Sequence, residues 1–312
     1  MKNNLAFIFP GQGSQTVAML SDFANNDVVQ NTFKEASDAL GYDVWSLVNQ
    51  GPAEKLNQTN FTQPALLTAS VALWRLWLST TPIKPSVIAG HSLGEYSALV
   101  CANVLTLSDA VKLVEKRGEF MQTSVPEGVG AMAAVIGLAD DAIIQACAEG
   151  AQEQVVSAVN FNSPGQVVIA GNKEAVERAG ELCKAAGAKR VLPLPVSVPS
   201  HCALMKDAAE KLALELDKIE LNSPDIPVIN NVDVIAQTDI AEIKAALVKQ
   251  LYSPVRWTET IEKFAASGIT QALEVGPGKV LQGLVKRINK SITCVSLNDD
   301  ASLVKVQELV KE

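Results

Sequence analysis

Short apolar runs alternate with stretches of helical periodicity along most of this chain. Residues 5–9, 86–89, 226–230, 271–275 and 293–297 are continuous or near-continuous apolar runs of strand length. Between them apolar residues return every three or four positions. Leu66, Ala69, Ser70, Leu73 and Trp77 share one face of a helix expected over 63–79, with Pro64 in its first turn. The same spacing predicts helices over 28–40, 93–102, 240–251, 258–266 and 280–288, and a last helix at the C-terminal end. Ser108 is the expected cap of another, running through Ala110, Val111, Val114 and Phe120. Ser200-His201 is expected to open one through Leu204, Ala208, Leu212 and Leu216. Strands that alternate with helices imply an α/β body whose mostly parallel sheet is covered on both faces.

The pattern changes between 128 and 196. Strands are expected over 131–136, 155–161, 166–170 and 189–194, with helices over 140–149 and 174–186. That order, β-α-β-β-α-β, is the ferredoxin-like split arrangement, and Asn162-Ser163-Pro164-Gly165 supplies its central turn. The expected organisation is a large subdomain, residues 1–126 and 198–312, carrying an inserted small subdomain, residues 127–197.

Composition narrows the function classes. The chain has 312 residues, of which 48% are hydrophobic and 19% charged, ample for a full core. A formal net charge of -8 and a pI near 5.0 argue against a nucleic-acid binder, which usually presents a basic face. No apolar stretch approaches the ~20 residues that cross a bilayer, and the run after Met1-Lys2-Asn3-Asn4 suits a buried strand rather than a signal sequence. Cys101, Cys147, Cys183, Cys202 and Cys294 are odd in number and scattered, which suggests neither a disulfide framework nor a metal site. The expectation is a soluble cytoplasmic protein.

The chemistry concentrates at Gly90-His91-Ser92-Leu93-Gly94. This fits G-x-S-x-G, the elbow in which a strand turns sharply into a helix and lifts one serine hydroxyl to the apex. A strand before it and a helix after it favour that reading over an incidental glycine turn, and make the body hydrolase-like. A serine needs a neighbouring base, and the chain has two histidines, His91 and His201. His91 directly precedes Ser92 on a tight turn that splays adjacent side chains, so its role is structural. Elimination leaves His201. The carboxylates from Asp109 to Glu181 lie on apparent helices or loops, and none follows a main-sheet strand. An orthodox triad is therefore not expected, and a carbonyl or amide group could orient His201 instead, fixing its tautomer without a second charge. Pro10-Gly11-Gln12-Gly13-Ser14-Gln15 is not a dinucleotide fingerprint, because Thr16 stands where the third glycine belongs. It reads equally as an ordinary turn or as a source of a backbone N–H donor. Gly276-Pro277-Gly278-Lys279 resembles a helix-entry turn without P-loop spacing. Cys202 is expected to be a small buried residue. Arg117, beside Glu115 and Lys116, takes by default the solvated place of a surface arginine.

These pieces occur in a telling order. Phe9-Pro10-Gly11-Gln12-Gly13-Ser14-Gln15, Gly90-His91-Ser92-Leu93-Gly94-Glu95-Tyr96 and Arg117-Gly118 are followed by Asn160-Phe161-Asn162-Ser163-Pro164-Gly165-Gln166, Ser200-His201 and Glu274-Val275-Gly276-Pro277-Gly278. Together they closely resemble the bacterial malonyl-CoA:acyl carrier protein transacylases over nearly the whole chain. The resemblance implies a cofactor-free acyltransferase of fatty acid biosynthesis, working by a ping-pong mechanism and as a monomer. It implies that Ser92 is the acylated nucleophile, that His201 is base and then acid, and that the main-chain carbonyl of Gln250 replaces the missing carboxylate. Backbone N–H groups of Gln12 and Leu93 would form the oxyanion hole. Arg117 would pair with the malonyl carboxylate, with Gln63 and Asn162 lining the same pocket. Malonyl-CoA and holo-acyl carrier protein are the implied partners. The carrier is acidic in this family, so a basic patch is expected among Lys189, Arg190, Lys279, Lys286, Arg287 and Lys290. Val198-Pro199-Ser200-His201 departs from the Gly-Pro-Phe-His form that many relatives show at this place.

Overall fold

The computed structural model describes residues 2–196 and 198–310. Ser197, where the inserted subdomain was expected to end, lies outside them. From the N-terminus, β1 (Lys2–Phe9) is followed by α1 (Asp27–Leu40), α2 (Val44–Gln50), α3 (Ala53–Leu56) and α4 (Thr59–Thr80). β2 (Pro85–Gly90) leads into α5 (Gly94–Cys101) and α6 (Leu107–Thr123). Then come β3 (Gly130–Ile136), α7 (Asp140–Ala151), β4 (Val156–Ser163), β5 (Gln166–Asn172), α8 (Lys173–Ala185) and β6 (Arg190–Pro193). The chain closes with α9 (Lys206–Leu216), β7 (Val228–Ile229), α10 (Ile240–Gln250), α11 (Trp257–Ala266), β8 (Gln271–Val275), α12 (Val280–Ile288), β9 (Thr293–Leu297) and α13 (Asp300–Leu309).

The larger sheet has the order β7-β2-β1-β8-β9, and all its pairings are parallel. β1 sits in its middle, and Leu5 to Phe9 are fully buried, so the run is apolar on both faces. Its side chains alternate between two cores. Leu5, Phe7 and Phe9 pack with residues of α4, α5 and α6, where Phe7 meets Trp74 and Trp77 edge-on at 5.5 and 5.6 Å. Ala6 and Ile8 face α11 and α12 through Trp257, Phe264, Leu281 and Leu284.

The smaller sheet has the order β4-β5-β3-β6 and is antiparallel throughout, with β3 and β5 central. This is the strand order of a split β-α-β-β-α-β unit. One face carries α7 and α8 through Val135, Ile169, Ile143 and Cys183. The other turns Met132, Ala134 and Val168 toward Cys202 and Leu204 of the body. Backbone bonds also join the two parts: Phe161 N–H donates to the Val255 carbonyl at 3.0 Å, and Val255 N–H to the Val159 carbonyl at 2.8 Å.

Several boundaries differ from the sequence reading. α4 begins at Thr59, a turn before Pro64, which therefore lies inside the helix. Early in a helix a missing N–H costs only one bond, and the burial of most of α4 outweighs it. Thr106, not Ser108, caps α6, its hydroxyl accepting from Asp109 N–H at 3.1 Å. β7 spans only two residues. Ser200-His201 does not open a helix; a 3-10 turn, Ala203–Met205, separates it from α9, and His201 sits at φ 66. Among the described residues no helix is long and apolar enough to cross a membrane.

Candidate active site

The elbow follows from sterics. A Cβ at Gly90 would overlap the backbone of Gly94, and one at Gly94 would overlap the Phe9 carbonyl. Glycine at both ends lets β2 turn into α5 within this space, and Ser92 at the apex is held at φ 52. Such backbone strain in a non-glycine residue collects at functional sites. The turn is stitched to the loop after β1: His91 N–H donates to the Phe9 carbonyl at 3.0 Å, and Gly11 packs on the His91 carbonyl with no room for a side chain.

Ser92 Oγ lies 2.8 Å from His201 Nε2. His201 Nδ1 lies 2.7 Å from the Gln250 main-chain carbonyl. A carbonyl only accepts, so Nδ1 carries the proton and Nε2 is free to accept from the serine hydroxyl. The imidazole is 3% exposed, and burial, reinforced by the Arg117 charge, pulls its pKa down to about 3. It is therefore neutral at ordinary pH. His91 turns elsewhere: its Nε2 lies 2.8 Å from Asn162 Oδ1, and its ring leans on Trp257.

Arg117 departs from the surface arginine of its local sequence. It is 1% exposed. Gly118 explains how: a Cβ there would run into the Asn60 backbone, so glycine lets α6 close on α4 and bring Arg117 inside. Its Nη1 donates to Gln63 Oε1 at 2.8 Å, and its Nη2 reaches Gln250 Oε1 at 3.1 Å and Ser92 Oγ at 3.4 Å. Its Cζ stands 5.3 Å from the Tyr96 ring, and its Nε–H has no partner among the described residues. No carboxylate forms an ion pair with it among the described residues. Burial lowers its pKa from the usual arginine range.

A cleft of ≈ 320 Å³ opens over Ser92, His201 and Arg117. Gln12 and Leu93 line it, and among the described residues neither backbone N–H donates a hydrogen bond. The rest of its wall includes Met121 of α6, Met132 of β3, Asn160 of β4 and Val196. Gln63 is buried behind Arg117. Asn162 does not line the cleft and is bound to His91; Asn160, two residues earlier, does, with its Oδ1 buried and unpartnered. The basic candidates are exposed but spread over two places, Lys189 and Arg190 at β6, and Lys279, Lys286, Arg287 and Lys290 along α12. None of them lines the cleft. No group of three or more His, Cys, Asp or Glu among the described residues could hold a metal ion.

Two residues escaped the sequence reading. Asn231 Oδ1 accepts from Ser92 N–H at 2.7 Å, and its Nδ2 donates to the Gly90 carbonyl at 2.7 Å. Nothing in the local sequence marks it. Glu95, 3% exposed, accepts from Asn231 N–H and Gln250 Nε2, each at 2.9 Å. The available signal was a lone carboxylate on an otherwise apolar elbow helix.

The chain matches the acyl transferase domain family over residues 6–310. It is 65% identical to the malonyl CoA-acyl carrier protein transacylase of Salmonella typhimurium, covering 96% of this chain and 97% of that protein. Among solved structures, an acyl carrier protein S-malonyltransferase from Vibrio cholerae superposes with a TM-score of 0.96 at 64% identity, over 97% of this chain and 99% of that one. A malonyl-transacylase solved in complex with its type II PKS acyl-carrier protein gives 0.97 at 60% identity, over 98% and 99%. On these matches the chain belongs to the acyl transferase family and, within it, to the malonyl CoA-acyl carrier protein transacylases.

Proposed function

We propose that the chain moves a malonyl group from malonyl-CoA to the phosphopantetheine thiol of an acyl carrier protein, through an ester on Ser92. One observation carries the reading: a buried guanidinium, unpaired with any carboxylate among the described residues, stands 3.4 Å from the nucleophile. Such a charge is costly until an anion pairs with it, so the site favours an acyl group that ends in a carboxylate. The names of its relatives agree, and one of them was solved with a carrier protein bound.

In the first half-reaction Ser92 Oγ attacks the thioester carbonyl while its proton passes to His201 Nε2. The amides of Gln12 and Leu93 are the donors to the developing oxyanion. The C–S bond breaks, His201 returns the proton to the CoA sulfur, and malonyl remains on Ser92. The carrier thiol then gives its proton to His201 and attacks the ester, and the proton returns to Ser92 Oγ. Both halves exchange an acyl group between nucleophiles without redox change, so no cofactor is required. The malonyl carboxylate has a second effect. By neutralising Arg117 it removes one of the charges that depress His201, and so strengthens the base when the right acyl group is present.

The small subdomain runs from 127 to 197 in this reading. The carrier docks by its acidic surface on the basic side chains of α12 or β6, and the five unpaired thiols suit a reducing cytoplasm.

Incubation with malonyl-CoA, followed by mass spectrometry of the Ser92 peptide, tests this. The expected result is a malonyl adduct that holo-carrier protein discharges much faster than water. Discharge to water at an equal rate would make the chain a hydrolase, and no adduct would reject the reading.

A further inference from the structure

Glu95 is a buried carboxylate beneath the elbow that the transfer chemistry leaves unused. Its Oε2 accepts from Gln250 Nε2 at 2.9 Å, and the same nitrogen donates to the Ser92 carbonyl at 3.1 Å. A carboxylate and a backbone carbonyl both only accept. Both therefore demand the NH2 end of the Gln250 amide, which turns Oε1 toward Arg117 Nη2, 3.1 Å away. A flipped amide would set NH2 against a guanidinium and oxygen against two acceptors. We propose that Glu95 is a positioning residue for acyl selectivity: its ionised carboxylate fixes the Gln250 amide, and the amide aims Arg117 at the acyl group on Ser92. This rests on the malonyl reading of the site.

A second branch separates selectivity from general activity. Glu95 Oε2 also holds Asn231 N–H, and Asn231 ties Ser92 N–H to the Gly90 carbonyl. That branch shapes the elbow and serves every acyl group alike. Only the Gln250 branch reaches Arg117, so only it distinguishes malonyl from acetyl.

The link titrates. Burial pushes the Glu95 carboxyl up to about 7. The charged and titratable groups facing it are Arg117 on α6, Tyr96 on its own helix, and Asp233 after β7, itself paired with Lys249 of α10 at 2.6 Å. His201, held near 3, stays neutral over this range. Above pH 7 the carboxylate holds the amide; below it the protonated acid becomes a donor, and the amide keeps only the weaker hold of the Ser92 carbonyl and Arg117, at 3.1 Å each.

The experiment measures malonyl and acetyl transfer from their CoA thioesters to holo-carrier protein, in parallel, from pH 6 to 8. Taking the ratio cancels whatever both acyl groups share. In the unmodified protein the malonyl-to-acetyl ratio should fall as pH drops through about 7; a flat ratio overturns the proposal, whatever any variant does. Glu95→Gln presents both an oxygen and an NH2, so this position no longer selects one orientation of the Gln250 amide and its hold on Arg117 loosens. Its ratio at pH 8 should fall by about tenfold or more, and its pH dependence should vanish. A folded variant that keeps the ratio and its pH profile also overturns the proposal. Absence of a malonyl ester on Ser92 in the unmodified protein would instead reject the malonyl reading itself.

Discussion

Arg117 carries its charge almost wholly buried, 1% exposed on the wall of the cleft, and on the malonyl reading its energetics decide what the site accepts. On the proposed reading, Arg117→Ala removes the partner of the malonyl carboxylate and leaves that anion buried alone. A loss of about 3 kcal/mol, roughly a hundredfold in kcat/KM, is expected for malonyl-CoA. Acetyl-CoA has no carboxylate and should change far less; equal losses would sink the assignment. His201 gives a second prediction, in stability. Its pKa is about 3 folded against 6.5 unfolded, so below pH 6.5 the unfolded chain binds a proton that the folded one refuses. The unmodified protein therefore loses stability from this residue as pH falls from 6.5 toward 3. His201→Gln lacks that loss, and its melting temperature relative to the unmodified protein should climb over the same interval. A constant difference across the titration would contradict the buried, neutral imidazole.

At the scale of elements, the loop after β1 and the elbow act as one piece. The Phe9 carbonyl receives His91 N–H and also lies where a Cβ of Gly94 would go. Gly94→Ala must push α5 off the end of β1, which moves the Leu93 amide relative to that of Gln12. A shift of about 1 Å at reacting groups costs roughly a hundredfold. Turnover with malonyl-CoA should drop by that order in a protein that still folds, with a lowered melting temperature; full turnover would show that the two loops are independent. The glycines at 276 and 278 belong to this assembly. Gly276 packs on Pro10 where a side chain has no room, and Glu274 caps α12 by accepting from Leu281 and Gln282 N–H at 3.0 and 2.7 Å. The turn that the sequence marked as a helix entry without P-loop spacing does lead into α12, and it also packs against the Gln12 loop.

For the whole molecule, the cleft belongs to neither sheet alone: Gln12, Ser92 and Leu93 come from loops of the parallel sheet, and Met132, Asn160 and Leu194 to Val196 from the smaller one. On the proposed reading the carrier delivers a flexible arm into this gap, and its docking is expected on surfaces around the cleft rather than inside it. Lys286→Glu with Arg287→Glu reverses two exposed charges on α12. The apparent KM for carrier protein should rise several-fold at low ionic strength, and the difference should shrink as salt screens it. Initial rates at varied carrier concentration check this, and an unchanged KM would move the docking surface elsewhere.

The layered architecture was legible in the apolar periods, because each of them maps onto one buried face. The sequence also carried the elbow, whose glycines are demanded by backbone contacts within a few residues, and it left His201 as the single base by arithmetic. Helix ends were less legible: α4 runs through Pro64, because burial of the whole helix outweighs one missing bond. The placement of the buried charges was not legible in the chain, because it depends on long-range packing. Arg117 sits among polar neighbours in sequence, and its burial depends on α6 touching α4 at Gly118, a contact between residues 58 apart at Asn60. Glu95, Asn231 and Gln250 converge beneath Ser92 from segments 136 to 158 residues apart from their partners. Hydrogen bonds of that separation leave no periodic trace along a chain, since they are made by the packing of helices and strands and not by local sequence.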